Sequence, residues 1–214
     1  MEILLFVFVI LVLLFSAVIH EVSHGLTAKF LGDDTAEKAG RLTLNPIPHL
    51  DLFGSVILPL LLAIPAFFGG PALVIGWAKP VPYNPANLKN KKWGPSFVAL
   101  AGPISNIILA SFFGLMIRFM LIPSSLLNTS FLSFIAIIVW INLLLAVFNM
   151  VPIPPLDGSK LLMAVLPRRW DWLGLWLERY GFIIILLFVF FGFSLIIPII
   201  KGLFWLITGQ QFGF

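Results

Sequence analysis

The sequence predicts an all-α polytopic membrane protein: about four transmembrane helices, a further segment that re-enters or skims the membrane, and short β-strands near the cytoplasmic face. Three observations carry this reading. Of 214 residues, 60% are hydrophobic and only 10% are charged, against roughly a quarter charged in soluble domains. The apolar residues gather into five blocks, 3–28, 52–77, 95–121, 131–151 and 181–207, each of the ~20 residues a helix needs to cross a bilayer. Lysine and arginine also fall unevenly on the stretches between the blocks.

The blocks differ in quality. From Ile3 to Ile19 every residue is apolar except Ser16, so the first helix is greasy on all sides. The second block holds Pro59, Pro65 and Pro71 around Phe67-Phe68-Gly69-Gly70, a place where a chain can turn back. If this block crossed fully, Lys79, Lys89, Lys91, Lys92, Lys160, Arg168, Arg169 and Arg179 would oppose Lys29, Lys38, Arg41, Arg118 and Lys201, eight against five. If it dips and returns, Lys29, Lys38 and Arg41 join the first group, and eleven oppose Arg118 and Lys201 alone. The second division is the stronger positive-inside pattern. It favours four spans with both termini outside. The remaining blocks, 95–121, 131–151 and 181–207, read as plain spans.

Composition excludes several classes. With no cysteine in the chain, disulfides and thiolate-bound metals are ruled out, which leaves histidine and carboxylates as strong ligands. The net charge of +4 reflects residues retained on the cytoplasmic side, not a nucleic-acid partner. The N-terminal run has no basic start and is not expected to be a cleaved signal. Residues 1–214 are expected to form a single domain.

The first span ends in His20-Glu21-Val22-Ser23-His24. On a helix, histidines at i and i+4 lie one turn apart on one face, where both can bind one Zn²⁺. The adjacent Glu21 can then take a proton from an activated water. Ionisable groups at membrane depth are costly, so their presence points to function.

A catalytic zinc site usually has three protein ligands and one open position. Asp157, closing the apolar stretch Asn149–Asp157 beside Gly158, is the leading third ligand, with His49 and Asp51 as rivals. Spacing offers a check. His20 lies 17 residues beyond Ile3, about 25 Å along a helix, towards the exit end of its span. Asp157 follows the exit end of the 131–151 block. The two share a depth only if these spans run parallel, which the four-span topology provides.

In order along the chain come His20-Glu21-Val22-Ser23-His24, Gly40-Arg41-Leu42-Thr43-Leu44-Asn45-Pro46, Gly76-Trp77-Ala78-Lys79-Pro80-Val81-Pro82, Ala101-Gly102-Pro103-Ile104-Ser105-Asn106 and Phe148–Gly158. Together they resemble the site-2 protease family of zinc proteases that cut transmembrane segments, in a short form with no inserted PDZ module. The resemblance implies one zinc per chain on His20, His24 and Asp157, with Glu21 as general base and then proton donor to the leaving amine. It implies that Asn149 helps to hold substrate or the oxyanion. The 76–82 stretch would lie near an extended substrate strand. The implied partner is a membrane protein with a transmembrane helix, and the implied location is a prokaryotic cell membrane, with the active site towards the cytoplasm.

Plainer readings stand beside these. The histidine pair could bond two helices, and Asp157 could cap the segment 158–166. Asn142 and Asn149 could link helices, and Gly102 and Ser105 could serve close packing. Trp77, Trp93, Trp140 and Trp205 suit interfacial anchoring. Trp170, Trp172 and Trp176 beside Arg168 and Arg169 suggest a segment lying on the anionic leaflet. Asn128-Thr129-Ser130 matches a glycosylation sequon by chance. Two other functions fit part of the pattern, a membrane metal-ion transporter and a non-catalytic protease-like scaffold.

Overall fold

The structure is a computed structural model that describes residues 2–57, 64, 78–119 and 129–212. The expected re-entrant turn around Gly69-Gly70, residues Gly76 and Trp77, and Asn128 of the sequon lie outside the described residues.

The first apolar block forms α1 (Glu2–Phe30), followed by the single turn α2 (Thr35–Lys38). The next long helix is α3 (Gly94–Arg118), then α4 (Thr129–Asn149), the short α5 (Gly158–Val165), α6 (Asp171–Leu187) and α7 (Ile197–Thr208). Four stretches are long and apolar enough to cross a membrane: Ile3–Phe30, Gly94–Arg118, Phe131–Asn149 and Asp171–Leu195. The protein is therefore an integral membrane protein of all-α architecture. No strand occurs among the described residues, and residues 78–84 form an irregular segment.

The helix directions follow from their contacts. Phe8 near the start of α1 meets Phe134 near the start of α4, ring centroids 4.6 Å apart, so these helices run parallel. Near its exit end, α1 meets the entry of α3, where His24 bonds Val98, so α3 runs opposite to both. The 150–157 loop after α4 thus emerges on the same side as the histidines.

The fourth span departs from the expected 181–207. Helix α6 begins ten residues earlier, passes through a π-helical turn at Phe188–Gly192 and a 3-10 turn at Phe193–Leu195, and gives way to α7. Two residues explain the break: Gly192 weakens the helix, and Pro198 is suited only to the first turn of a new one. Of the tryptophans read as a leaflet segment, Trp170 stands just before α6 and Trp172 and Trp176 in its first turns. The charges of Glu178 and Arg179 mask the continuity of that span in the sequence.

The tight interior lies where α3, α4 and α7 meet, at Ala110, Ile117, Ile135, Val139, Leu143, Ile196, Ile200 and Phe204. Lipid is as apolar as these side chains, so close van der Waals fit and polar contacts must hold the bundle. Asn106 on α3 and Asn142 on α4, both buried, supply one such contact, Nδ2 of the first donating to Oδ1 of the second at 2.9 Å. Outward faces carry Phe182, Phe190 and Phe191, each more than 70% exposed, as lipid-facing residues should be.

Candidate metal centre

One helical turn separates His20 from His24, and both are buried, 6% and 9% exposed, against α3. Each ring is held through Nδ1. His20 Nδ1 faces Asn106 Oδ1 at 2.6 Å, and His24 Nδ1 donates to the Val98 carbonyl at 2.7 Å. A carbonyl can only accept, so a hydrogen of His24 sits on Nδ1, which leaves Nε2 to bind a cation when the ring carries one hydrogen. The rings stand nearly perpendicular, 89°, with centroids 4.6 Å apart.

The third group arrives from 137 residues away. Asp157 Oδ2 lies 3.0 Å from His20 Nε2 and 3.3 Å from His24 Nε2. Asp157 occupies the N-cap position of α5 but makes no side-chain cap bond; its carboxylate turns to the imidazoles instead. The loop can close because Gly158 is pressed against the backbone of Met150 and Val151, where a Cβ would collide. Among the described residues, these three side chains are the one set of ligand-type groups that converges, all ligand atoms lying within 4.8 Å of one another.

The donor set suits zinc. Two imidazole nitrogens and a carboxylate oxygen are its ordinary ligands, and three of them leave one coordination position open. At bond lengths near 2.05 Å the edge of a tetrahedral shell is about 3.3 Å, close to both observed separations. Lone pairs and a carboxylate facing one another repel unless a cation or proton lies between them. Gly102 completes the fit: a Cβ there would stand 2.5 Å from both Nε2 atoms. The absence of a side chain keeps that space in front of the nitrogens.

Glu21 lies on the same turn of α1. Its Oε2 accepts from the Val81 amide at 2.8 Å, which ties the carboxylate to the irregular 78–84 segment. That segment is pinned further by Arg41 Nη2 donating to the Lys79 carbonyl, by Lys79 N donating to the His49 carbonyl, and by Asn84 N donating to Asp33. The two motifs around Arg41 and Pro80 thus form one polar collar beside α1.

The rival ligands go elsewhere. His49 is fully buried and donates through Nε2 to the Thr43 carbonyl, and Asp51 accepts from Gly54 N. Asn149 Nδ2 donates to Leu145 O on its own helix. Two residues at the centre do not stand out in the sequence for their part in it. Asn106 reads there only as part of a motif, and Gly102 only as a packing residue. A carboxamide inside an apolar span is the available signal for Asn106. For Gly102 there is none beyond its place in the motif.

Comparison with known proteins agrees with this geometry. Residues 114–191 match the profile of peptidase family M50. The chain is 38% identical over 184 residues to YwhC of Bacillus subtilis strain 168, covering 84% of this chain and 78% of that protein. It is 33% identical over 153 residues to Rip2 of Mycolicibacterium smegmatis, covering 72% of this chain and 55% of that one. With MJ0611 of Methanocaldococcus jannaschii it shares 42% identity over 96 residues, 42% of this chain and 44% of the relative. All three are named as candidate zinc metalloproteases. No solved structure matches.

Proposed function

Since the chain belongs to peptidase family M50 and is a zinc metalloprotease, we propose that it hydrolyses peptide bonds within or beside the transmembrane helices of membrane-protein substrates, using a zinc held by His20, His24 and Asp157. The observation that carries this is the convergence of those three side chains at one depth, between helices long and apolar enough to span a bilayer.

Bound there, zinc supplies Lewis acidity, polarising a carbonyl oxygen and making water acidic near neutral pH. The chain's own groups do the rest. Asn106 and the Val98 carbonyl orient the two imidazoles, and second partners of this kind fix ring direction and basicity. Glu21 accepts the proton of the attacking water as its oxygen bonds the carbonyl carbon, then delivers that proton to the nitrogen as the C–N bond breaks. The Val81 amide holds one oxygen of that carboxylate, which fixes the direction of the other. Asn149, at the end of α4, holds substrate or the developing oxyanion in this scheme. The collar around Lys79–Asn84 lies where an unwound substrate could run beside Glu21; a helical substrate must unwind before its carbonyl is accessible.

Orientation rests on charge. Ten of the eleven Lys and Arg that cluster on one side of the topology belong to the loops and helix ends near His24 and Asp157, the eleventh, Arg179, lying within the fourth span, while Arg118 and Lys201 lie towards the far end. By the positive-inside pattern the site faces the cytoplasm. A carrier would need further ligands along a path, and among the described residues there is one converging group.

Reconstituted protein tests the reading. Glu21→Gln should lower cleavage of a membrane-protein substrate by about 10²–10⁴-fold while one zinc per chain is retained. Full cleavage by the variant, or a folded wild-type chain that takes up no zinc, would refute it.

A further inference from the structure

Two buried asparagines connect His20 to the middle of α4, and their order of bonds has only one consistent reading. The Ile138 carbonyl can only accept, so the Asn142 atom 2.9 Å from it must be the amide nitrogen Nδ2. The oxygen of Asn142 therefore turns to Asn106 and accepts from its Nδ2 at 2.9 Å. That interaction engages the NH₂ group of Asn106, which also reaches towards the Ser16 carbonyl at a longer 3.4 Å. Asn106 is left presenting Oδ1 to His20 Nδ1 at 2.6 Å. An oxygen there can only accept, so a ring hydrogen sits on Nδ1, and Nε2, facing Asp157 and the space beside Gly102, is the nitrogen left to bind a cation when the ring carries one hydrogen. Asn106 and Asn142 are 0% and 1% exposed, so bulk water does not compete for these bonds.

We propose that Asn142, which touches none of the three converging side chains, is a positioning residue: through Asn106 it selects the His20 tautomer able to bind metal, and so sets the protein's zinc affinity. This rests on the reading of His20 as a zinc ligand. Without the Asn142 oxygen, only the long contact to Ser16 opposes rotation of the Asn106 amide. Turned over, Asn106 would donate to His20 Nδ1 and place the ring hydrogen on Nε2, facing the metal position.

The test uses the full chain in detergent micelles, with zinc affinity measured by chelator competition at one neutral pH. Asn142→Leu should weaken zinc binding by about ten- to a hundred-fold, the usual cost of losing an outer partner of a metal ligand. Asn142→Asp keeps an oxygen that accepts from Asn106, so it should hold affinity near the wild-type value. In an Asn106→Asp background, Asn142→Leu should cost nothing or improve binding, because a carboxylate offers His20 an oxygen whichever way it turns. An equal loss in both backgrounds would mean that the Asn142→Leu substitution acts through packing alone, and would overturn the proposal; so would unchanged affinity in Asn142→Leu. If that variant does not fold, Asn142→Ala takes its place: the same loss is expected, and unchanged affinity refutes the relay. A wild-type chain that binds no zinc, or a His20→Ala chain that binds it as tightly, would instead bring down the ligand reading beneath it.

Discussion

Replacing Gly102 by alanine adds a single methyl group to α3, and by helix propensity alone it should stabilise that helix by about 1 kcal/mol. The structure reverses the expectation for the metal site. The new Cβ would stand 2.5 Å from Nε2 of both His20 and His24, where ordinary contact begins near 3.4 Å. Both nitrogens would have to retreat by about 0.9 Å, several times the 0.2 Å tolerance of a metal–ligand distance. Retreat is resisted because both rings are tied through Nδ1 to α3 itself, at Asn106 and Val98, one turn to either side of Gly102. Overpacking of this sort costs about 1–3 kcal/mol, partly offset by the helix gain, so the net loss of stability should stay below about 2 kcal/mol and the chain should fold. Zinc affinity should fall by at least a hundred-fold, the upper range for loss of an outer-shell partner, and cleavage with it. Chelator competition and metal analysis on purified protein, with circular dichroism for helix content, provide the measurement. A Gly102→Ala chain that carries one zinc with wild-type affinity would show that the space beside this glycine is not where the metal sits.

Three further outcomes follow from other parts of the molecule. Asp157→Asn should cut zinc affinity at least a hundred-fold while leaving the unfolding midpoint of the zinc-free protein nearly unchanged, because this carboxylate makes no cap bond to α5; a loss of stability with zinc binding intact would return Asp157 to a capping role. Asn149→Ala should lower kcat by about 10²–10³-fold if its carboxamide meets the oxyanion, with zinc affinity unchanged, whereas loss of the Leu145 bond alone should leave kcat within a few-fold. Asp33 is covered by neighbouring atoms though it lies beyond the end of α1; burial pushes its carboxyl up, but donors from Thr35, Asn84 and Asn87 outweigh this and hold it below the ordinary value. A lowered folded-state value means that its stabilisation is complete above the unfolded value near 3.9 and is lost as pH falls through the folded one. Unfolding midpoints between about pH 5 and 2 should therefore drop more steeply for wild type than for Asp33→Asn, and parallel curves would refute the assignment.

The apolar runs and the His20-Glu21-Val22-Ser23-His24 motif are legible in the sequence because both are local. A span declares itself by twenty neighbouring side chains, and the i, i+4 spacing places two imidazoles on one face whatever surrounds the helix. Asp157 is reachable by counting crossings, since parallel spans return loops to the same depth. The split of the last block at Gly192 and Pro198 has a local signal too, but the run of large apolar residues around it outweighs two punctuating ones. Other features have no such local trace. That Gly102 borders the two Nε2 atoms, that Asn106 meets His20 and is itself held by Asn142, and that the Val81 amide engages Glu21 all depend on how α1, α3 and α4 are rotated about their own axes. Hydropathy is nearly uniform around these helices, so it carries little information on which face turns inward. The rotation is chosen by small residues that permit close approach and by buried polar groups that must find partners in a medium without water. Composition and spacing thus point to the chemistry this chain carries, whereas the partners that aim each group are chosen by interhelical packing, because those bonds join residues 36 to 137 positions apart.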